Sequence, residues 1–194
     1  MIRALALALL CCLLLTFGCI PSLHPAYGPE DVVFDQALVG TWEGDKDVGD
    51  WTFSQRDDEK AYRASQHAAE GDGPDEISTF DAHLVQVEGL RLLDLTPRDP
   101  KPEGTVYYRL HMMPVHTFVV VDQIEPTLRV RMLKPDWLGK LLEEQPDAIK
   151  HEKIDDTVVL TAQPAQLQSF IRAHLNTADA WMDTIELSRL SVPV

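Results

Sequence analysis

The chain has 194 residues and a formal net charge of −14 at pH 7. An acidic surface of this kind is repelled by nucleic acid and by anionic lipid headgroups, so a nucleic-acid partner is not expected. The acidic residues are dispersed and lie largely between the predicted strands, which is typical of a solvated surface. The sequence contains no internal repeat and no low-complexity tract.

Residues 1–18 have the pattern of an export signal. A single positive charge precedes the apolar run Ala4–Leu15, which is too short to span a membrane. The segment resembles the signal of bacterial lipoproteins, in which the Cys after the cleavage site, here Cys19, becomes the lipidated N-terminus. An ordinary secretory signal is the alternative, because Thr16 and Phe17 stand where Leu and a small residue are usual.

The lipoprotein resemblance implies a membrane anchor through lipid on Cys19. Ile20 follows, with no Asp to signal retention in the inner membrane, so the known sorting pattern implies the outer membrane, facing the periplasm. Cys11 and Cys12 lie within the signal. The mature domain therefore has no thiol for a disulfide or a Cys-based metal site.

Residues 19–37 are predicted to be the lipidated N-terminus and a flexible tether. Three Pro and one Gly lie within nine positions of this segment, which argues against regular structure. The short apolar stretch Val32–Phe34 could dock on the folded domain. The remaining residues, 38–194, are enough for one domain with its own hydrophobic core.

The body of the chain is predicted to be mainly β, an antiparallel barrel of about 8–9 strands with two α-helices in the C-terminal third. Turn signals recur roughly every 8–12 residues, which is the spacing of a β-sandwich or barrel. The predicted helices are Asp136–Gln145 and Ala165–Leu175, each following a Pro. The predicted strands are Leu38–Glu43, Asp50–Gln55, Ala61–His67, Ile77–Val87, Leu90–Leu95, Val106–Met113, Thr117–Ile124, Leu128–Leu133, Thr157–Thr161 and the tail Thr184–Leu190.

The first strand carries the sequence Gly40-Thr41-Trp42. It resembles the Gly-x-Trp motif of lipocalins and related calycins. That family also has a late Arg that packs across the Trp, and Arg189 has the corresponding place. The family's Thr-Asp pair is missing, because Asp122 follows a Val. The resemblance implies a lipocalin-like barrel over about residues 38–190, closed by Gly40, Trp42 and Arg189.

Three partial motifs lack the residue on which their chemistry depends. His151–Asp155 begins like a zinc-protease helix but has Asp where the second His is needed. Gly71–Gly73 is followed by Pro74 and opens no helix for a pyrophosphate. The acidic loop at Asp45 has Arg56 in place of the calcium-binding Glu. With no Gly-x-Ser-x-Gly either, neither an enzyme activity nor a cofactor is predicted.

Three histidines leave a question open. His111 and His116 flank a predicted hairpin tip, where their side chains could converge, with His83 as a third neighbour. Imidazoles bind zinc or copper, but no carboxylate or thiol stands at ligand spacing. A structural role, capping strand ends or bonding to loop backbone, is favoured, and no metal is assigned.

Aromatic and Met side chains on the predicted strands either line a cavity or fill it. An eight-stranded barrel is just wide enough to be packed solid or to hold one small ligand. The first hypothesis is a site for a hydrophobic ligand such as a fatty acyl chain. The alternative is a filled core, with loops that act on an envelope protein. The candidate ligand-binding residues are Trp51, Phe53, Tyr62, Phe80, Tyr108, Met112, Phe118 and Trp137.

Trp137 belongs to this set because of the expected position of its helix. The predicted helix Asp136–Gln145 carries an apolar stripe that must be buried. The last strand before it exposes Arg129 and Arg131, which are poor partners for Trp and Leu. The helix is therefore predicted to lie across a barrel mouth, with Trp137 pointing inward.

Overall fold

The computed structural model describes residues 19–56, 60–67, 77–98, 105, 107 and 111–190. The predicted fold class is confirmed: eight antiparallel strands form a closed barrel, with an extra strand and two helices. The strands are β1 (Val32–Val33), β2 (Gly40–Glu43), β3 (Trp51–Gln55), β4 (Tyr62–His67), β5 (Ile77–Val87), β6 (Leu90–Pro97), β7 (Thr117–Gln123), β8 (Thr127–Arg131), β9 (His151–Ile154), β10 (Thr157–Leu160) and β11 (Ile185–Arg189), and the helices are α1 (Pro135–Glu144) and α2 (Pro164–His174).

The last strand, β11, closes the barrel. The strands follow the order β5-β4-β3-β2-β11-β8-β7-β6, and β6 pairs with β5 to complete the ring. Arg189 of β11 lies opposite Trp42 of β2, and Leu187 lies opposite Leu128 of β8. Each barrel strand therefore has two neighbours, which removes the open sheet edges. The short β1 pairs with the part of β5 that extends beyond β4.

The barrel interior is one hydrophobic cluster, called here the inner core. All eight barrel strands contribute to it, because alternate residues of a strand point to the same face. The buried members are Leu38, Trp42, Phe53, Tyr62, Ala64, Ala82, Leu84, Leu93, Leu95, Val121, Ile124, Leu128, Val130 and Leu187. Trp42 and Tyr62 have no exposed surface.

A second hydrophobic cluster, called here the outer core, lies outside the barrel on the wall formed by β5, β6 and β7. Val85, Leu92 and Val120 alternate with inner-core residues of the same strands and point outward to it. The helices, the β9–β10 hairpin and the N-terminal segment cover this wall. Its other buried members are Ala26, Leu90, Leu133, Leu138, Leu142, Ile149, Leu160, Ala162, Leu167, Phe170, Ile171, Ala180 and Trp181.

The two helices begin at Pro residues and pack by their apolar stripes. α1 has Pro at its first position, where a missing N–H costs nothing, and buries Leu138 and Leu142. α2 begins with a capping box in which Gln163 and Gln166 bond to each other's backbone. Both stripes meet the outer core, so α1 lies against the barrel wall.

Two sequence predictions are wrong at this level. α1 does not cover a barrel mouth, because its buried residues belong to the outer core with Val85, Leu92 and Val120. The predicted strand Val106–Met113 falls mostly outside the described residues. Its described part is not a strand, since Tyr107 is helical and residues 111–113 are in no strand. None of the helices in the described ranges is both long enough and apolar enough to cross a membrane.

Candidate functional site

Residues 19–35, called here the N-terminal strap, run across the outer wall of the barrel. Ser22 is fully buried and forms two backbone hydrogen bonds of 2.8 Å with His116. On its other side, the Leu160 N–H donates to the Pro21 carbonyl at 2.9 Å. The strap thus joins the β9–β10 hairpin to the barrel. Where the sequence predicted a flexible tether, the chain is packed on the fold, and the apolar β1 within it pairs with β5.

The centre of this arrangement is Asp94, a fully buried carboxylate on the outward face of β6. In the sheet it lies between His83 of β5 and Phe118 of β7. One carboxylate oxygen accepts the Ala26 N–H at 2.8 Å, and the other lies 2.7 Å from His116 Nδ1. A buried carboxylate needs such donors to replace the water it has lost. Asp94 therefore ties the strap to the barrel wall.

The imidazole of His116 contacts Asp94 through its Nδ1 atom. Since carboxylate oxygens only accept, Nδ1 carries the proton that is donated to Asp94. The Thr96 hydroxyl oxygen also lies 2.9 Å from Nδ1. The side chain is 17% exposed, so the ring lies near the surface while its partner Asp94 is buried.

Tyr27 of the strap contacts His83 on the same wall. The Tyr27 hydroxyl lies 3.1 Å from His83 Nδ1, and the ring centroids are 4.7 Å apart. Burial is the main cause that raises the pKa of Tyr27 to about 12; the nearby charges of Asp94 and Asp81 act in the same direction, and Arg56 opposes them. The phenol is therefore held in its neutral form over the whole physiological range.

Helix α2 is hydrogen-bonded to the strap through the side chain of Gln168. The side chain of Gln168, 6% exposed, donates to the Ala26 carbonyl at 3.0 Å and to the Asp31 carboxylate at 2.7 Å. The same Asp31 oxygen accepts the Gly28 N–H at 2.8 Å, which closes the turn before β1. Further on, Phe34 stacks on Tyr62, with centroids 5.0 Å apart. The strap is thus bonded to α2, to the barrel wall and to the inner core.

The residues predicted to close the barrel are in contact. The Arg189 guanidinium carbon lies 4.3 Å from the Trp42 ring centroid, and Trp42 Nε1 donates to the Leu38 carbonyl at 2.9 Å. Arg189 also donates to the Val39 carbonyl at 2.8 Å and to the Ala37 carbonyl. The predicted Trp–Arg contact is therefore confirmed.

The same contact explains the glycine of the motif. Gly40 has φ = +138°, a conformation that favours Gly, and a Cβ there would lie 2.7 Å from Arg189 Nη1. The guanidinium passes over Gly40 on its way to the backbone carbonyls, and a side chain at this position would obstruct it.

The candidate ligand-binding residues do not form one group. Phe53 and Tyr62 are buried in the inner core, and Trp51 and Phe80 pack against it. The remaining four are elsewhere: Phe118 and Trp137 pack against the outer core, Met112 is 52% exposed at the surface, and Tyr108 lies outside the described residues. Trp137 contacts Phe170 and His174 of α2, with centroid distances of 6.3 and 4.9 Å.

The three histidines considered for a metal have separate partners. His116 bonds to Asp94, His83 contacts Tyr27, and His111 Nδ1 lies 2.8 Å from the carbonyl oxygen of Tyr107. Over the ranges that the structure describes, no three His, Cys, Asp or Glu side chains are grouped as metal ligands would be.

Two pockets lie at the surface, away from the inner core. One, of about 340 Å³, is formed by the β2–β3 loop around Asp45 and Asp50, and the other, of about 370 Å³, lies between Lys134 and Thr184.

Sequence reasoning missed the polar centre of the strap, although one signal was present. Asp94 interrupts the otherwise apolar run Leu92–Leu95, and a carboxylate in a run buried on both faces needs a specific partner. Comparison of the chain with models of protein families, with curated proteins and with solved structures found no match.

Proposed function

We propose that this chain is an exported bacterial lipoprotein, anchored in the envelope by lipid on Cys19. Its calycin-like barrel is filled by its own side chains, and it works as a structural or interaction protein. Its proposed location is the outer membrane, facing the periplasm, and its proposed partners are that membrane and another envelope protein. Neither an enzyme activity nor a cofactor is part of the proposal.

The observation that carries the proposal is the content of the barrel. The buried inner-core side chains are at most 8% exposed, and they come from every strand of the ring. Two of the residues predicted to bind a ligand, Phe53 and Tyr62, are members of this cluster. The Tyr62 hydroxyl is bonded to the backbone of Asp35 in both directions, at 2.6 and 3.0 Å. An interior so occupied favours a packed barrel over a binding cavity.

The alternative function is the binding of a small hydrophobic ligand, such as a fatty acid. One observation favours it: Trp51 and Phe80 are only partly buried and stack on each other, with centroids 5.6 Å apart. Such a pair offers a flat apolar contact at the edge of the inner core. A ligand bound there would replace solvent on the exposed sides of these rings.

The calycin-like part of the proposal is supported by two features together. The barrel has eight antiparallel strands, and Gly40-Thr41-Trp42 lies in its first strand with Arg189 of its last strand over the Trp ring. Contact between the first and last strands through these residue types is the arrangement that the family resemblance implies.

Mass spectrometry of the protein purified from its own envelope tests both parts. We expect an acyl mass on Cys19 and no co-purifying lipid in the barrel. The Cys19→Ala variant should move to the soluble exported fraction, because stable anchoring requires the acyl chains. An unacylated wild type that stays on membranes would contradict the anchor.

A titration with fatty acid separates the two functions. For a filled barrel, tryptophan fluorescence stays constant. Saturable binding that disappears in a Trp51→Ala variant, but persists in the matched Trp137→Phe variant of the outer core, would support the ligand-binding alternative instead.

A further inference from the structure

We propose that the face carrying the N-terminal strap lies directly against the bilayer, with Leu23, Met113 and Ile154 at the lipid interface. This inference rests on the proposed acylation of Cys19. It assigns to the protein a fixed orientation on the membrane and a contact surface for lipid.

The first argument is the length of chain between the anchor and the fold. Only two residues separate Cys19 from Ser22, which is fully buried and bonded on both sides, to His116 and to the hairpin. Ile20 already packs against the outer core. Three residue steps span at most about 10 Å. A lipid on Cys19 therefore holds this face within about one headgroup layer of the membrane.

The second argument is the distribution of exposed apolar side chains. Leu23 is 40%, Met113 71% and Ile154 60% exposed. Leu23 belongs to the strap, Ile154 ends the strand β9 of the hairpin to which the strap is bonded, and Met113 shortly precedes His116. Together with Met112, they make four of the seven large apolar residues exposed in the described ranges. The strap bonds to the hairpin at Leu160, so Ile154 lies at the free tip of the hairpin. Exposed apolar side chains on elements joined by an anchored segment fit the interface of a bilayer.

The opposite wall of the barrel gives the contrast. On β2, β3 and β11 the outward positions are polar, at Thr41, Thr52, Ser54 and Ser188. Thr41 and Thr52 bond to each other through their hydroxyls at 3.1 Å. Contact with lipid would not stabilise these polar side chains, so this wall faces water when the strap faces the membrane.

The charge of the chain determines the kind of lipid that fits. The net charge is −14, and the hairpin tip beside Ile154 carries Glu152, Asp155 and Asp156 against Lys153. Anionic headgroups would be repelled, so the contact is expected with zwitterionic lipid and with little dependence on salt.

Site-directed labelling tests the orientation. The only cysteine beyond the signal is Cys19, and acylation consumes its thiol, so one introduced cysteine gives a unique label. Acylated Ile154→Cys and Met113→Cys variants carry an environment-sensitive fluorophore in phosphatidylcholine vesicles that contain brominated lipid. Ser54→Cys, exposed on the opposite wall, is the matched control. We expect quenching at 154 and 113 that is several times that at 54.

The outcomes separate the two proposals. Absence of an acyl mass on the purified protein refutes the anchor and this inference with it. An acylated protein whose labels are quenched equally little at all three positions overturns the orientation alone. The orientation is also overturned if the label at residue 154 is shielded from water but is not quenched by brominated lipid. A protein partner or a second copy of the chain would then cover that face.

Discussion

The inner and outer cores of this protein are built from the same kinds of apolar residue, but they are assembled differently. The inner core is enclosed by a ring of strands, and its buried polar groups, such as Trp42 Nε1 and the Tyr62 hydroxyl, bond to nearby backbone. The outer core is covered by segments from both ends of the chain. It also contains buried polar side chains, among them Asp94 and Gln168, that reach across long sequence separations.

This difference has a physical reason. A closed sheet determines its own interior, because strand pairing places every second residue inside. Nothing in the sheet determines which segment should cover its outer wall. The Asp94 carboxylate accepts a hydrogen bond at one position of the strap, Ala26, and Gln168 bonds the same residue from the other side. We infer that these bonds set the position of the strap, while apolar burial provides most of the stability.

The largest effect is expected for Trp42→Ala in the inner core. The change removes a fully buried indole and should lower the free energy of unfolding by roughly 3–5 kcal/mol. Arg189→Ala should cost less, and the two losses should not add, because the residues share one contact. Chemical denaturation of the single and double variants measures this, and additive losses would contradict the coupling.

Leu138→Ala tests the outer core in the same way. Leu138 on α1 is fully buried, and its truncation should cost about 3 kcal/mol. Leu141, on the same helix but partly buried, is the matched control and should cost less when changed to Ala. If the two variants are equally stable, α1 does not depend on the wall of the barrel for its burial.

Asp94→Ala should distinguish the cores most clearly. It leaves the Ala26 N–H and the His116 imidazole without their acceptor, at a cost of about 2 kcal/mol. We expect faster amide hydrogen exchange in residues 20–35 and unchanged exchange in the inner-core strands β2 and β3. Asp94→Asn, which keeps one acceptor oxygen, should have a smaller effect. Uniformly faster exchange would mean that the strap does not open separately.

The smallest effect is expected for Tyr27→Phe, through its pH dependence. Below pH 10 the variant should be less stable by about 1 kcal/mol, since it lacks the hydroxyl that contacts His83. The pKa of Tyr27 is raised from 10 to about 12 in the folded state, so its neutral form is favoured by folding. As pH rises from 10 to 12, the unfolded chain releases the proton first, and the folded wild type loses stability.

Comparing the unfolding free energies of the two proteins over that interval measures the difference. The Phe variant should become more stable relative to the wild type as pH rises. Tyr62, whose pKa burial also raises, is common to both proteins and cancels in the comparison. A constant difference would indicate that Tyr27 ionises in the folded protein as it does in water.

Sequence patterns were most informative for strands that have one solvent-exposed face and one buried face. β4 covers Tyr62–His67 of the predicted Ala61–His67, and β8 shows the predicted alternation, with Arg131 paired outward to Asp122 at 2.6 Å. The Gly40-Thr41-Trp42 motif and the late Arg189 also indicated a contact that is present. These signals depend on neighbouring residues or on a motif, and both are visible in one sequence.

The outer core was missed because its signal is spread over distant segments. The prediction for α1 weighed the barrel wall at Arg129 and Arg131 of β8, whereas the helix packs beside β5, β6 and β7. The run Leu92–Leu95, buried on both faces, was the local sign of a covered wall. The sequence of the strap predicts a tether because its Pro and Gly residues disfavour regular structure. They do not exclude side-chain and backbone bonds to remote residues such as Asp94.

The place of β11 in the ring has a consequence for the order in which the chain can fold. β11 lies between β2 and β8, so a strand made of residues 185–189 completes a sheet that begins at residue 40. Contacts so far apart in sequence form slowly, because a long loop must close first. During synthesis, the edges of β2 and β8 stay open until residues 185–189 have been made, and open edges pair with other chains. Truncation before Ile185 would make that aggregation-prone intermediate permanent.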